Sequence, residues 1–425
     1  MKASAIFLLS LNMYASALIA DSESMSDIDS NSEIADLKKR VASLEKAPST
    51  LPPLPHAKNG VGIFLTGEAL LWKASEEGLD YAITGSFDLQ SDPGTFYQLN
   101  LKNGKSHEPG FHWDWGFRVG VGYDTHHDGW DIYSTWTRYH HGAKGSLTVQ
   151  GDPNANDFAA TGGSGNYISP FWVAQIFSPP GMMNRAKAHW HLNLDLADLE
   201  LGRNYLITKY LSLRPSIGLR AGWIDQKYNL FFLAYNFPTD PTATVRDISV
   251  RMKNDFWGIG AKAGLNTQWF LGKGFSICGN GSFSLLDGHY HIRYKLHDQK
   301  PVLVVTQKSA GLNAQTTTID PAYNDSFKNK KHIHTIAPIV NLALGLRWER
   351  SFCNEHCFFS IWGSYEENVF FGQNQLMNFQ NDFILVNIVT TNDPQGSGGG
   401  HTPNYFTDRG NLTLRGFTGG IAFAF

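Results

Sequence analysis

Three His-x-His pairs, His189/His191, His289/His291 and His332/His334, come nearest to metal chemistry in this sequence. Residues two apart on an extended strand point to one face, so each pair would offer two imidazoles to one ion. No carboxylate or cysteine cluster at matching spacing completes a site, so neutral histidines in a polar wall or at a rim are expected and no metal is assigned. Cys278, Cys353 and Cys357 are the only cysteines. Cys353 and Cys357 flank one turn and Cys278 lies beside another. In an oxidising compartment a Cys353–Cys357 bridge, or one from either to Cys278, is open and leaves one thiol over; the alternative is that all three are incidental. No G-x-S-x-G, H-E-x-x-H or phosphate-binding glycine loop occurs, and "TGGSGN" (161–166) has no helix after it to present backbone donors. The sequence therefore assigns no catalytic residue and calls for no cofactor.

Alternation shows which elements position these groups. In "YLSLRPSIGLRAGW" (210–223), Leu211, Leu213, Ile217, Leu219, Ala221 and Trp223 oppose Ser212, Arg214, Ser216, Gly218, Arg220 and Gly222. In "FWGIGAKAGLNTQWF" (256–270), Trp257, Ile259, Ala261, Ala263, Leu265 and Trp269 oppose Gly258, Gly260, Lys262, Gly264, Asn266 and Gln268. The stretches 340–349 and 117–123 repeat the pattern. An apolar face with aromatic ends and a small, polar face behind it is the signature of a strand with lipid outside and water inside. Pro215 is awkward in such a strand because it cannot donate to a ladder. In "HWHLNLDLADLEL" (189–201) the leucines change parity near Ala197–Asp198, which a β-bulge would produce.

Charges on the non-apolar faces must line the interior, since facing lipid would be costly. By alternation these are Glu68, Arg118, Asp195, Arg214, Arg220, Lys262, Arg347 and Glu349. Five are basic and three acidic, which predicts a nearly unselective or weakly anion-selective lumen, or alternatively charges that pair and only brace the wall. Tight connections at 124–129, 208–210, 272–274 and 351–357 alternate with long ones, as in 141–186 and 368–410. Confident strands number ten. That is a floor, because "LDYAITGSF", "TFYQLNLKN", "VLVVTQ" and "DFILVNIV" would take the count to twelve to sixteen if they joined. The fold expected is an all-β transmembrane antiparallel up-and-down β-barrel over 60–425. Its last stretch, "RGFTGGIAFAF", puts Phe417, Ile421, Phe423 and Phe425 on one face of the strand that closes it, an end that barrel-assembly machinery would recognise.

Residues 1–20 combine Lys2, an apolar run and small residues at Ala15, Ala17 and Ala20, as expected of a secretory signal peptide. Residues 21–47 hold an acidic stretch and a short coiled coil, with Ser30 and Glu33 at capping-box spacing and Ile34, Leu37, Val41 and Leu44 at a/d spacing. So short a seam needs other copies or the body of the protein to lean on. Pro48, Pro52, Pro53 and Pro55 make 48–59 an extended linker. With 35 basic and 38 acidic residues the chain lacks the basic footprint of a nucleic-acid binder.

Four blocks, "EALLWKASEEGLDYAI" (68–83), "WGFRVGVGYDTHHDGWDIYSTWTRYHH" (115–141), "DLADLELGRNYLITKYLSLRPSIGLRAGWIDQKY" (195–228) and "FWGIGAKAGLNTQWFLGKGFSICGNGSFSLLDG" (256–288), resemble the major-outer-membrane-protein-like porins of Legionella and Chlamydia-related bacteria. The resemblance covers most of 60–288 and the terminal strand. It implies a barrel in the bacterial outer membrane, a homo-oligomer such as a trimer, and passive diffusion of small hydrophilic solutes. Outer-membrane lipid and the assembly machinery are the implied partners. Some relatives are joined by disulfides or serve as adhesins, so a narrow barrel that only displays long loops is the competing expectation. Three cysteines are too few for an extensively crosslinked lattice.

Overall fold

The computed structural model describes residues 53–57, 60–91, 97–149, 165–170, 172–173, 183–236, 240–300, 303–308, 315–320, 323–380, 404–407 and 410–425. The expected signal peptide, the 21–47 coiled coil and most of the 48–59 linker lie outside the described residues. Among the described residues no helix is long and apolar enough to cross a membrane.

Ten strands form the barrel: β1 (Ile63–Glu76), β2 (Trp113–Asp124), β3 (Trp130–Thr148), β4 (Arg185–Arg203), β5 (Leu211–Asn236), β6 (Asp240–Gly272), β7 (Phe275–Lys300), β8 (Tyr323–Phe352), β9 (Cys357–Phe370) and β10 (Leu412–Ala424). Each pairs antiparallel with its neighbours in sequence, and β10 pairs with both β9 and β1, so the sheet closes without an edge. Three of the four candidate extra stretches pair outside it. Ala82–Ser91 and Tyr97–His107 form a small separate sheet with Gly165–Pro170, Leu303–Lys308 pairs with Gln315–Asp320, and "DFILVNIV" lies outside the described residues. Ten strands, not twelve to sixteen, set the width.

Short turns and the C-terminus share one end, which is the periplasmic one. The β6–β7 turn is two residues, Lys273 and Gly274, at φ 53° and 84°. Two left-handed residues match the twist of a tight hairpin, and glycine carries the second without a Cβ clash. Pro215 is tolerated because β4 ends its pairing at Gly202↔Ser216, and the short strand Tyr205–Thr208 takes over at Leu213.

Along β5 the exposed apolar face runs from Leu211 to Trp223, roughly 40 Å of strand and, at the usual tilt of ~45°, roughly 28 Å of membrane. Above Trp223 the pattern inverts. Asp225 and Lys227 face out while Ile224, Tyr228, Leu230 and Phe232 are fully buried inside. The same inversion explains "HWHLNLDLADLEL". The β3–β4 and β4–β5 registers run unbroken through Ala197–Asp198, so the expected bulge is absent. Leu192, Leu194 and Leu196 point inward above the membrane; Leu199 and Leu201 point outward within it. The environment changes sides, not the strand.

The outer half of the cylinder is consequently filled by an apolar core that includes Trp72, Tyr139, Trp190, Tyr228, Phe256, Tyr290, Tyr294 and Phe370. Three of its buried phenols find backbone acceptors: Tyr139 donates to the Trp72 carbonyl at 2.8 Å, Tyr228 to Leu79 at 2.6 Å and Tyr294 to Trp172 at 2.7 Å, while Tyr290 donates to the Gln373 amide oxygen at 3.3 Å. Unpaired, each hydroxyl would cost about 1–3 kcal/mol there.

Candidate functional site

Below that core, at membrane depth, the inward faces of the ten strands surround a polar cavity of about 160 Å³, room for on the order of ten waters. Two ion networks cross it. In the larger, Arg214 binds Asp131 at 2.5 Å and Glu200 at 3.1 Å, Lys262 bridges Glu200 and Asp198 at 2.6 Å each, and Arg220 grips Asp198 through two bonds of 2.7 and 2.8 Å. Arg220 continues to Asn341 at 2.5 Å, and Asn341 to Asn368 at 2.6 Å. The chain of contacts thus runs from β3 across the lumen to β9. In the smaller network Arg118 bonds Glu68 at 2.5 Å and takes both oxygens of Glu366 at 3.2 and 3.1 Å. Its guanidinium also lies 5.6 Å from the Trp72 ring centre.

Seven of the eight sequence-predicted wall residues face this interior: Glu68, Arg118, Arg214, Arg220, Lys262, Arg347 and Glu349. Asp195 does not. It lies on the outer face, where Trp136 Nε1 donates to it at 3.2 Å and Arg138 stands 3.8 Å away. The assumed bulge put it on the wrong side. Continuous register brings in Asp131, Asp198 and Glu200 instead, and Glu366 joins from β9. Among the described residues five cations now meet six acidic groups, so the excess of positive charge expected from sequence is absent.

The periplasmic mouth holds a strap, residues 53–57. Arg347 donates to the Pro53 carbonyl and stacks on Trp362 at 5.1 Å, while Leu54 and Ala57 pack with Phe64, Phe358 and Ala424. His56 Nδ1 pairs with Asp124 at 2.5 Å. Burial pushes the Asp124 carboxyl up, but the bonds from His56 and from the His126 backbone outweigh it and hold the group below the ordinary Asp value.

The histidines are on the outer wall above the lipid. Register sets His289 opposite His334 and His291 opposite His332, with ring centres 4.3 Å apart in both pairs, while His189 packs on Phe231. A different group brings three metal-type donors together: His112, Asp114 and His141 lie within 4.8 Å of one another, with Asp114 Oδ2 at 2.8 Å from His141 and 3.3 Å from His112. His112 and Asp114 are two apart at the start of β2, so the rule applied to His-x-His would have found half of this set. His141 comes from β3 and needed the register. Its side chain has no exposure, so it is not offered to an outside substrate.

Cys353 and Cys357 sit across the β8–β9 turn, whereas Cys278 pairs with Gly345, eight residues or roughly 26 Å up β8 from Cys353. That exceeds the ~7 Å reach of a disulfide, so Cys278 cannot join either partner. All three are free in the structure. Thiol titration of denatured, unreduced protein taken from the cell envelope should return one free group if the turn is bridged there, and the survivor should map to Cys278 by mass spectrometry. A count of three excludes the bridge.

Residues 55–425 match the family described as the Legionella pneumophila major outer membrane protein precursor. The chain belongs to that family. It is a β-barrel protein of the bacterial outer membrane, as its resemblance to these porins implied. No curated protein matches it in sequence. Among solved structures, the outer membrane protease OmpT of Escherichia coli is 11% identical over 89% of this chain and 99% of its own, with a TM-score of 0.32. The Ralstonia pickettii toluene transporter TbuX is 10% identical over 90% and 92%, with a TM-score of 0.25.

Proposed function

We propose that this family member is a narrow porin, a passive pore for small hydrophilic solutes with no catalytic step. The observation supporting it is the wall at membrane depth. Where outward residues are mainly apolar, inward ones are mainly Gly, Ser, Thr, Asn, Gln and charged groups around an open cavity. A barrel meant only to be solid gains more from apolar packing than from buried ion pairs. In the described conformation the apolar core stands above the cavity and the strap below it, so transit needs movement of both. The strap is held by one ion pair, one arginine–carbonyl bond and a small apolar cluster.

In planar bilayers the protein should give small ohmic steps. The double variant Leu54→Ser/His56→Ala should raise their conductance or open time by about twofold or more. Reversal potentials across a salt gradient should show no anion preference, given the paired wall. A second reading, a narrow barrel that displays its external loops, is favoured by the apolar core in the outer half. Silence of both proteins in bilayers would favour it and sink the porin.

A further inference from the structure

Outside the barrel, register stacks residues into oblique rows across β4–β8. At the lipid boundary runs Asp195–Trp223–Trp257–His289–His334, and above it Asn193–Asp225–Asp255–His291–His332. The next row is His191–Lys227–Lys253–Arg293–Lys330, and the one after it His189–Asn229–Arg251–Lys295–Lys328. Seven cations thus share one contiguous outward face. Asp225 and Asp255 are the acids in the row beneath, and Asp255 is engaged by Arg293. Among the described residues Lys227, Lys253, Lys295, Lys328 and Lys330 have no ion-pair partner.

Like charges set directly opposite across a sheet repel and destabilise it. Here Lys227–Lys253–Arg293–Lys330 is four such neighbours in succession, of which Asp255 engages Arg293, and further anions between them would relieve the repulsion. Height says which anions. On each of β5 to β8 the cations stand four or more residues beyond the exposed apolar residue that ends its lipid-facing run, Trp223, Trp257, Leu285 and Ile336 in turn, which on a tilted strand is on the order of 10 Å or more above the lipid. A phospholipid headgroup layer is only ~5–7 Å deep. A phosphorylated saccharide headgroup reaches that far.

We propose that the outer face of β4–β8 binds the phosphorylated glycolipid of the outer leaflet, with Lys227, Arg251, Lys253, Lys295, Lys328 and Lys330 contacting its phosphates. The test uses the full protein in a neutral detergent, with purified phosphorylated lipopolysaccharide as the probe. Expected is saturable binding that weakens with salt and falls on the order of 100-fold in Lys253→Gln/Lys295→Gln/Lys330→Gln, while Lys73→Gln/Arg415→Gln on the opposite wall changes little. Heat-modifiable gel mobility checks that every variant is folded. Lipopolysaccharide stripped of its phosphates should bind far more weakly, and millimolar inorganic phosphate should not displace the intact glycolipid. Equal binding of the stripped form, indifference to the triple variant, or displacement by free phosphate would each overturn the proposal. So would tight capture of a heparin oligosaccharide with no glycolipid bound, which would make the face a docking site for soluble polyanions.

Discussion

Replacing Arg214 by alanine should destabilise the folded barrel by about 3–5 kcal/mol, measured as the shift of its urea transition in detergent micelles. The side chain has no exposure, Asp131 beside it is 2% exposed, and the guanidinium also holds Glu200 and Asn266. Removing it leaves two carboxylates in a low-dielectric wall with only Lys262 nearby, and the cost is that of uncompensated buried charge. The control is Lys209→Ala, an exposed residue in the β4–β5 connection, which should stay within ±0.5 kcal/mol. A loss under 1 kcal/mol for Arg214→Ala would mean that water enters the lumen freely enough to solvate Asp131, and the description of a closed, paired interior would be wrong.

The second large effect concerns pH. Glu76 ends β1 beyond Lys73, above the lipid, and is buried in the apolar core. One oxygen accepts from Gln226 at 2.9 Å, and the other has no partner. Burial pushes its carboxyl up to about 8, from 4.5. The folded form therefore keeps a proton that the unfolded chain has released, and the stabilisation from neutral Glu76 is complete below pH ~4.5 and lost as pH rises to 8. The gap corresponds to roughly 5 kcal/mol. Glu76→Gln keeps the shape without a charge to bury, so it should flatten the dependence and exceed the natural protein in stability at pH 9 by several kcal/mol. Urea midpoints at pH 5, 7 and 9 decide this. Parallel profiles for the two proteins would remove Glu76 as the titrating group.

The sequence by itself determined that the chain crosses a membrane as strands, at least ten of them, and where the closing one lies. Period-two alternation is a local property, imposed by lipid on one face and polar groups on the other, and it can be read one strand at a time. It placed Arg214, Arg220 and Lys262 on the inner wall and Phe417, Ile421, Phe423 and Phe425 on the outer one. Tertiary structure decided everything that depends on register between strands, or on where along a strand the lipid stops. Asp195 shows why: the parity change at Ala197 has the same appearance in sequence whether a bulge flips the strand or the surroundings exchange sides. The partners that neutralise the wall, the pairing of His289 with His334, and the rows of cations on β4–β8 all join residues far apart in the chain. Only the closed hydrogen-bonded ladder fixes those pairings, because it sets the height of each strand against the next.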